Sequence, residues 1–110
     1  MIFIVVKFTV RAEHSADWPA RVREFTEATR AEPGNLFFEW SRSVDTPEQY
    51  VLLEAFESRE AGARHVGSEH FKKAMSWMPE VIARTPEIVN VEVAGDGWGR
   101  MAELAPAQRA

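Results

Sequence analysis

The chain has 110 residues, a formal charge of −4 and no cysteine. Its length suits one domain around one core, and 45% apolar with 27% charged residues is ordinary for a globular protein. The absent cysteines exclude disulfides, thiolate catalysis and Cys-ligated metals. The acidic balance, with no Lys/Arg run, argues against nucleic acid as a partner, because phosphate binding needs a basic face.

Ile2 to Val10 is rich in β-branched residues and Phe. Ile2, Ile4, Val6, Phe8 and Val10 share one face, and Phe3 and Val5 the other, which predicts a strand covered on both sides. The run is shorter than the ~20 residues of a membrane helix. It has no basic leader or cleavage site, so no signal peptide and no membrane partner are expected, and a cytoplasmic location is. Ser15 or Asp17 can cap a first helix, with Trp18, Val22, Phe25 and Thr29 at helical spacing. Glu32-Pro33-Gly34-Asn35 stops it.

A second strand runs from Leu36 to Val44, with Leu36, Phe38 and Trp40 on one face. The turn Asp45-Thr46-Pro47-Glu48 joins it to a third strand, Gln49 to Glu57. There Tyr50, Leu52, Glu54 and Phe56 face one way and Val51, Leu53 and Ala55 the other. Ser58 caps a second helix that reaches Gly67; Ser68 starts a further piece, Glu69 to Met78, ended or kinked by Pro79. A helical turn is expected around Glu80 to Ala83, and a last strand over Ile88 to Val93.

The order β-α-β-β-α-β is the ferredoxin-like arrangement: an α+β fold with a four-stranded antiparallel sheet and helices on one face. Residues 1–94 are expected to form this domain. Residues 95–110, with Gly95, Gly97, Gly99 and Pro106, form a C-terminal tail that orders only against a partner. The uncovered sheet face, with Val51 and Leu53, is a large apolar patch, which predicts a homodimer paired sheet to sheet.

Four pieces occur in order: Glu32-Pro33-Gly34-Asn35-Leu36-Phe37-Phe38-Glu39-Trp40, then Leu53-Glu54-Ala55-Phe56-Glu57-Ser58, then Ala61 with His65, then Ser68-Glu69-His70-Phe71. From Phe3 to about Val93 the chain resembles the antibiotic biosynthesis monooxygenase family of dimeric α+β barrel proteins. The resemblance implies a pocket between helices and sheet, and an enzyme of uncertain chemistry, since the family holds cofactor-independent oxygenases, quinol oxygenases, haem-degrading enzymes and a sugar isomerase. Haem-degrading members carry an Asn, a Trp and a ligating His where this chain has Lys7, His65 and Met75, so haem is not expected.

Within such a pocket, His70 and His65 are the candidate bases, because histidine titrates near neutral pH; the competing role is capping or core bonding at the bend between two helices. They are five residues apart with Gly67-Ser68 between, so a His-x-x-x-His metal pair is absent and no metal is expected. Glu54 sits on an apolar strand face and must be paired or shifted in pKa. Phe38, Phe56, Phe71, Trp77 and Met78 complete the candidate substrate wall, on which a flat aromatic molecule would stack. Trp40 could join this wall or, coming late in the second strand, instead meet a second copy. No phosphate loop or flavin or nicotinamide fingerprint occurs, so no cofactor is expected.

The leading expectation is therefore a cofactor-independent monooxygenase joining O2 to a phenolic, quinol-type or polyketide aromatic substrate. The alternatives are an isomerase of a small phosphorylated sugar, for which Lys72 and Lys73 beside His70 would supply charge, and a non-catalytic small-molecule-binding dimer. An apolar lining with one His favours the first, a basic lining the second, a filled core the third.

Overall fold

The computed structural model describes residues 1–108. Four strands, β1 (Ile2–Thr9), β2 (Asn35–Arg42), β3 (Gln49–Phe56) and β4 (Glu87–Glu92), form one open sheet in the order β2-β3-β1-β4. All neighbours are antiparallel. Helices α1 (Trp18–Arg21), α2 (Arg23–Arg30), α3 (Arg59–Val66) and α4 (Glu69–Trp77) cover one face. This is the ferredoxin-like α+β fold. Among the described residues no helix is long and apolar enough to cross a membrane.

The alternation read from the sequence sets the layers. Val6, Phe8, Tyr50, Leu52 and Phe38 face the helices and are buried, because a period of two puts them on one side of the pleat. Trp18 is fully buried among Phe8, Trp40, Tyr50 and Trp77, with ring centroids 5.4–6.2 Å away. Trp40, half-buried, packs against this core, and its indole donates to the Thr26 hydroxyl at 2.9 Å.

Three local expectations change. The register between β2 and β3 shifts between Asn35 and Phe37, and Leu36 at this bulge is 36% exposed rather than facing the helices. Ser15 does not cap the first helix; its hydroxyl donates to the Pro47 carbonyl, and Asp17 stands at the N-cap without a side-chain capping bond, its carboxylate accepting from Arg21 instead. The turn expected at Glu80 to Ala83 is instead a 3-10 turn at Met78–Glu80, after which Ile82 bridges to Val10.

Residues 94–108 contain no helix or strand. Trp98 lies against Phe37 on the open face, with ring centroids 5.2 Å apart, and its indole donates to Glu39. The last two residues of the expected tail lie outside the described residues.

Candidate functional site

A cavity of about 330 Å³ lies between the sheet, α3, α4 and the segment after α4. Ile4, Val6, Phe8 and Leu52 form its floor, and Phe71, Met75 and Met78 its helical wall. Pro79, Ile82, Pro86 and Ile88 close the far side. Among the described residues its only ionisable lining groups are Glu54 and His65. An adjoining cleft of about 590 Å³ shares Ile4, His65, Val66 and Asn90 and adds Phe56 and Arg59. The Arg59 guanidinium is paired with Glu92 at 2.8 Å.

Glu54 projects from β3 into this apolar space because it shares the inward face with Leu52 and Phe56. It is 6% exposed. Loss of hydration, followed by the charge of nearby Glu32, raises its pKa from 4.5 to about 7. His65 comes from the inward side of α3 and is 4% exposed. Its ring is packed by Phe56 at 4.8 Å, Phe71 at 5.2 Å and Phe25 at 5.8 Å. One ring nitrogen, Nε2, is 3.8 Å from Glu54 Oε1, and the other, Nδ1, is 2.7 Å from Glu32 Oε2. The same Glu32 oxygen is 2.5 Å from His70 Nε2.

Neighbouring contacts fix this constellation. Ser58 caps α3 through the Ala61 N–H, and Ser68 caps α4 through the Phe71 N–H. The Ser68 hydroxyl also donates to the His65 carbonyl at 2.6 Å, tying the end of one helix to the start of the next. The bend that separates the histidines in sequence therefore brings both rings onto one carboxylate.

The predicted site residues are distributed unevenly. His65, Glu54, Phe71 and Met78 line the cavity, and Phe56 lines the adjoining cleft. Phe38 is 1% exposed core behind the His65 ring and lines neither space. Trp77 and His70 face an outer depression of about 280 Å³ with Arg21, Glu24 and Lys73. Lys73 is bonded to Glu24 there and Lys72 pairs with Glu69, so neither brings charge to the cavity. Sequence reasoning missed Glu32, because Glu-Pro-Gly reads as a helix stop, and missed Met75 and the wall from Pro79 to Ile88.

The expectation that no metal-ligand cluster exists fails in three dimensions: Glu32, His65 and His70 present ligand atoms within 4.8 Å of one another. Spacing along the chain could not reveal it, since Glu32 comes from a distant turn. The contacts of 2.5 and 2.7 Å are hydrogen-bond distances, shorter than the roughly 3.3 Å between two ligands on a tetrahedral ion. The cluster is therefore hydrogen-bonded. Another concavity of about 450 Å³ is lined by Trp18, Arg23, Arg30, Trp40, Arg42 and Tyr50 among others. Arg30 and Arg42 there are committed to the Phe38 and Pro47 carbonyls.

The sequence matches the family model for antibiotic biosynthesis monooxygenase over residues 1–77. A Caulobacter crescentus CB15 protein named for that family superposes with a TM-score of 0.80 at 25% identity, over 86% of this chain and 90% of its own. A Nitrosomonas europaea protein, also named for it, gives 0.79 at 25% identity, over 84% of this chain and 98% of its own. A Deinococcus radiodurans protein gives 0.79 at 22%, over 92% and 99%, a likeness of fold alone. No curated protein matches the sequence.

Proposed function

The chain belongs to the antibiotic biosynthesis monooxygenase family, and from that premise we propose that it oxidises a flat phenolic, quinol-type or polyketide aromatic substrate with O2, without a bound cofactor. The observation that carries the reading is the cavity itself: apolar walls with two adjacent titratable groups, Glu54 and His65, and, among the described residues, no Lys or Arg. Such a lining favours a neutral aromatic molecule over a sugar phosphate, which would need basic partners.

The chemistry balances without an external reductant. A phenol and O2 give a quinone and water: the ring C–H becomes C=O, and the substrate supplies all four electrons that reduce O2. The protein's part is to remove the phenolic proton so that the anion can pass an electron to O2. A hydroxyl set above the 3.8 Å gap between Glu54 Oε1 and His65 Nε2 can lie about 2.7 Å from both, within hydrogen-bond reach. The dry walls keep the anion from being hydrated. His65 and Glu54 are thus the proposed catalytic residues, with Phe71, Met75 and Met78 stacking on the ring. Two copies joined at the open sheet faces are the proposed working unit.

The test is O2 uptake by metal-free protein with a series of hydroquinones and anthrones. One O2 consumed per hydroxyquinone formed from a hydroquinone, or per anthraquinone formed from an anthrone, with water and no H2O2 as the co-product, is expected, lost in His65→Ala and strongly reduced in Glu54→Gln. Uptake no faster than the protein-free blank across the series would overturn the reading.

A further inference from the structure

We propose that Glu32 is a positioning residue that holds His65 with its proton on Nδ1 and its bare Nε2 toward the cavity, and that His70 steadies Glu32 from the outer side. This deepens the oxygenation reading and rests on it.

The argument is one of donors and acceptors. An ionised carboxylate oxygen only accepts. Glu32 Oε2 lies 2.7 Å from His65 Nδ1 and 2.5 Å from His70 Nε2, so both nitrogens carry the protons that bond to it. A neutral His65 has one proton, and with that proton on Nδ1 the Nε2 lone pair is left free. That nitrogen faces Glu54, on the cavity side. Without the carboxylate nothing here fixes which nitrogen is bare, and the wrong tautomer presents an N–H to a phenol that needs an acceptor.

His70 itself does not line the cavity. Its side chain is 23% exposed and shares the outer depression with Arg21, Glu24 and Lys73. Its bond to the same oxygen keeps the Glu32 carboxylate aimed at α3. The groups facing this pair are Glu54 from β3, His65 from α3, Arg21 and Glu24 from the first two helices, and Lys73 from α4. Of these, Lys73 and Arg21 are held in salt bridges by Glu24 and Asp17, which leaves the two imidazoles as the close partners of the Glu32 carboxylate.

Two independent measurements test this. Nitrogen-15 NMR of the His65 ring reads the tautomer directly and needs no substrate. Wild type is expected to show a protonated Nδ1 and a bare Nε2 near pH 8, and Glu32→Ala to lose that preference and show a mixture of the two tautomers. Turnover of whichever phenol the O2-uptake series identifies is expected to fall about a hundredfold in Glu32→Ala with KM unchanged. Glu32→Gln, which keeps an acceptor oxygen but not the charge, should recover part of the loss and most of the tautomer. His70→Ala should keep the tautomer and lose far less activity. A bare Nδ1 in wild type, or Glu32→Ala within about twofold of wild type, would overturn the proposal. If no phenol is oxidised, the oxygenation reading fails, and the NMR result alone then decides whether Glu32 sets the tautomer.

Discussion

Burial beneath the apolar cavity holds the Glu54 carboxyl neutral up to about pH 7, against 4.5 for an ordinary glutamate. The folded state therefore binds more protons than the unfolded chain between those two values, and stability falls as pH rises through that window. The stabilisation relative to the ionised form is complete below 4.5 and lost above about 7. For a shift of this size it amounts to roughly 3 kcal/mol. Glu54→Gln keeps the shape and removes the titration. Urea unfolding of the two proteins is expected to diverge with pH: similar stability at pH 4.5, and a more stable Gln variant, by roughly 1–3 kcal/mol, at pH 8. Parallel curves from pH 4.5 to 8 would show that Glu54 is not held neutral. In the wild type, the acid limb of substrate oxidation should have its midpoint in the same region, since the ionised carboxylate is the better acceptor. Glu54 was legible in the sequence because alternation in β3 put one carboxylate on an apolar face. Glu32 was not: its role depends on contacts to His65 and His70, 33 and 38 residues away, and Glu-Pro-Gly has a sufficient local explanation as a helix stop.

At the scale of elements, the site depends on how closely the turn before β2 approaches α3. A Cβ at Gly34 would collide with the Cβ of Ala61, on the first turn of α3. Gly34 has no positive φ, so its glycine is required by contact between segments rather than by turn geometry. The Gly34 carbonyl also accepts the Glu57 N–H at 2.9 Å, which fixes the turn to the end of β3. Close approach here is what lets Glu32, two residues earlier, reach the His65 ring, one turn further along the same face of the helix. Gly34→Ala is expected to push α3 outward and cost about 1–3 kcal/mol, with His65 oxidation chemistry lost in proportion to the displaced ring. Ala61→Gly alone should cost about 1 kcal/mol through helix propensity. The double variant Gly34→Ala with Ala61→Gly should be more stable than Gly34→Ala by itself, because the added methyl then has room. Thermal unfolding of the four proteins gives the answer; a double variant as unstable as the sum of the singles would place the strain elsewhere. The Pro-Gly-Asn motif predicted a turn from sequence. It carried no sign of the helix that would press on it, since packing between segments leaves no periodic trace.

For the whole molecule, element order and strand alternation were enough to reach the ferredoxin-like topology. The exceptions were local: a bulge at Leu36, and a 3-10 turn and bridge where a helical turn was expected. The same alternation defines what the single chain leaves uncovered. On the open face Phe3 lies between Ala55 and Val91, and Val5 between Leu53 and Val89. Phe37 adds an edge contact to Phe3 at 6.1 Å. Val89 and Val91 are 56% and 41% exposed, and Trp98, which lies over Phe37, is 68% exposed. A row of β-branched and aromatic residues across the middle of a sheet is costly to leave in water, and a second copy of the same face is self-complementary under a two-fold axis. The helix-side cavity opens on the other side of the sheet, so pairing here need not obstruct it. Sedimentation at micromolar concentration is therefore expected to give about twice the chain mass of 12.5 kDa. Val5→Arg and Leu53→Arg, each placing a charge at the centre of the row, should shift the protein toward monomer while its helix and strand signals persist, because neither side chain faces the core. A wild-type monomer at that concentration would overturn the pairing, and Arg variants that remain dimeric would move it to a different surface.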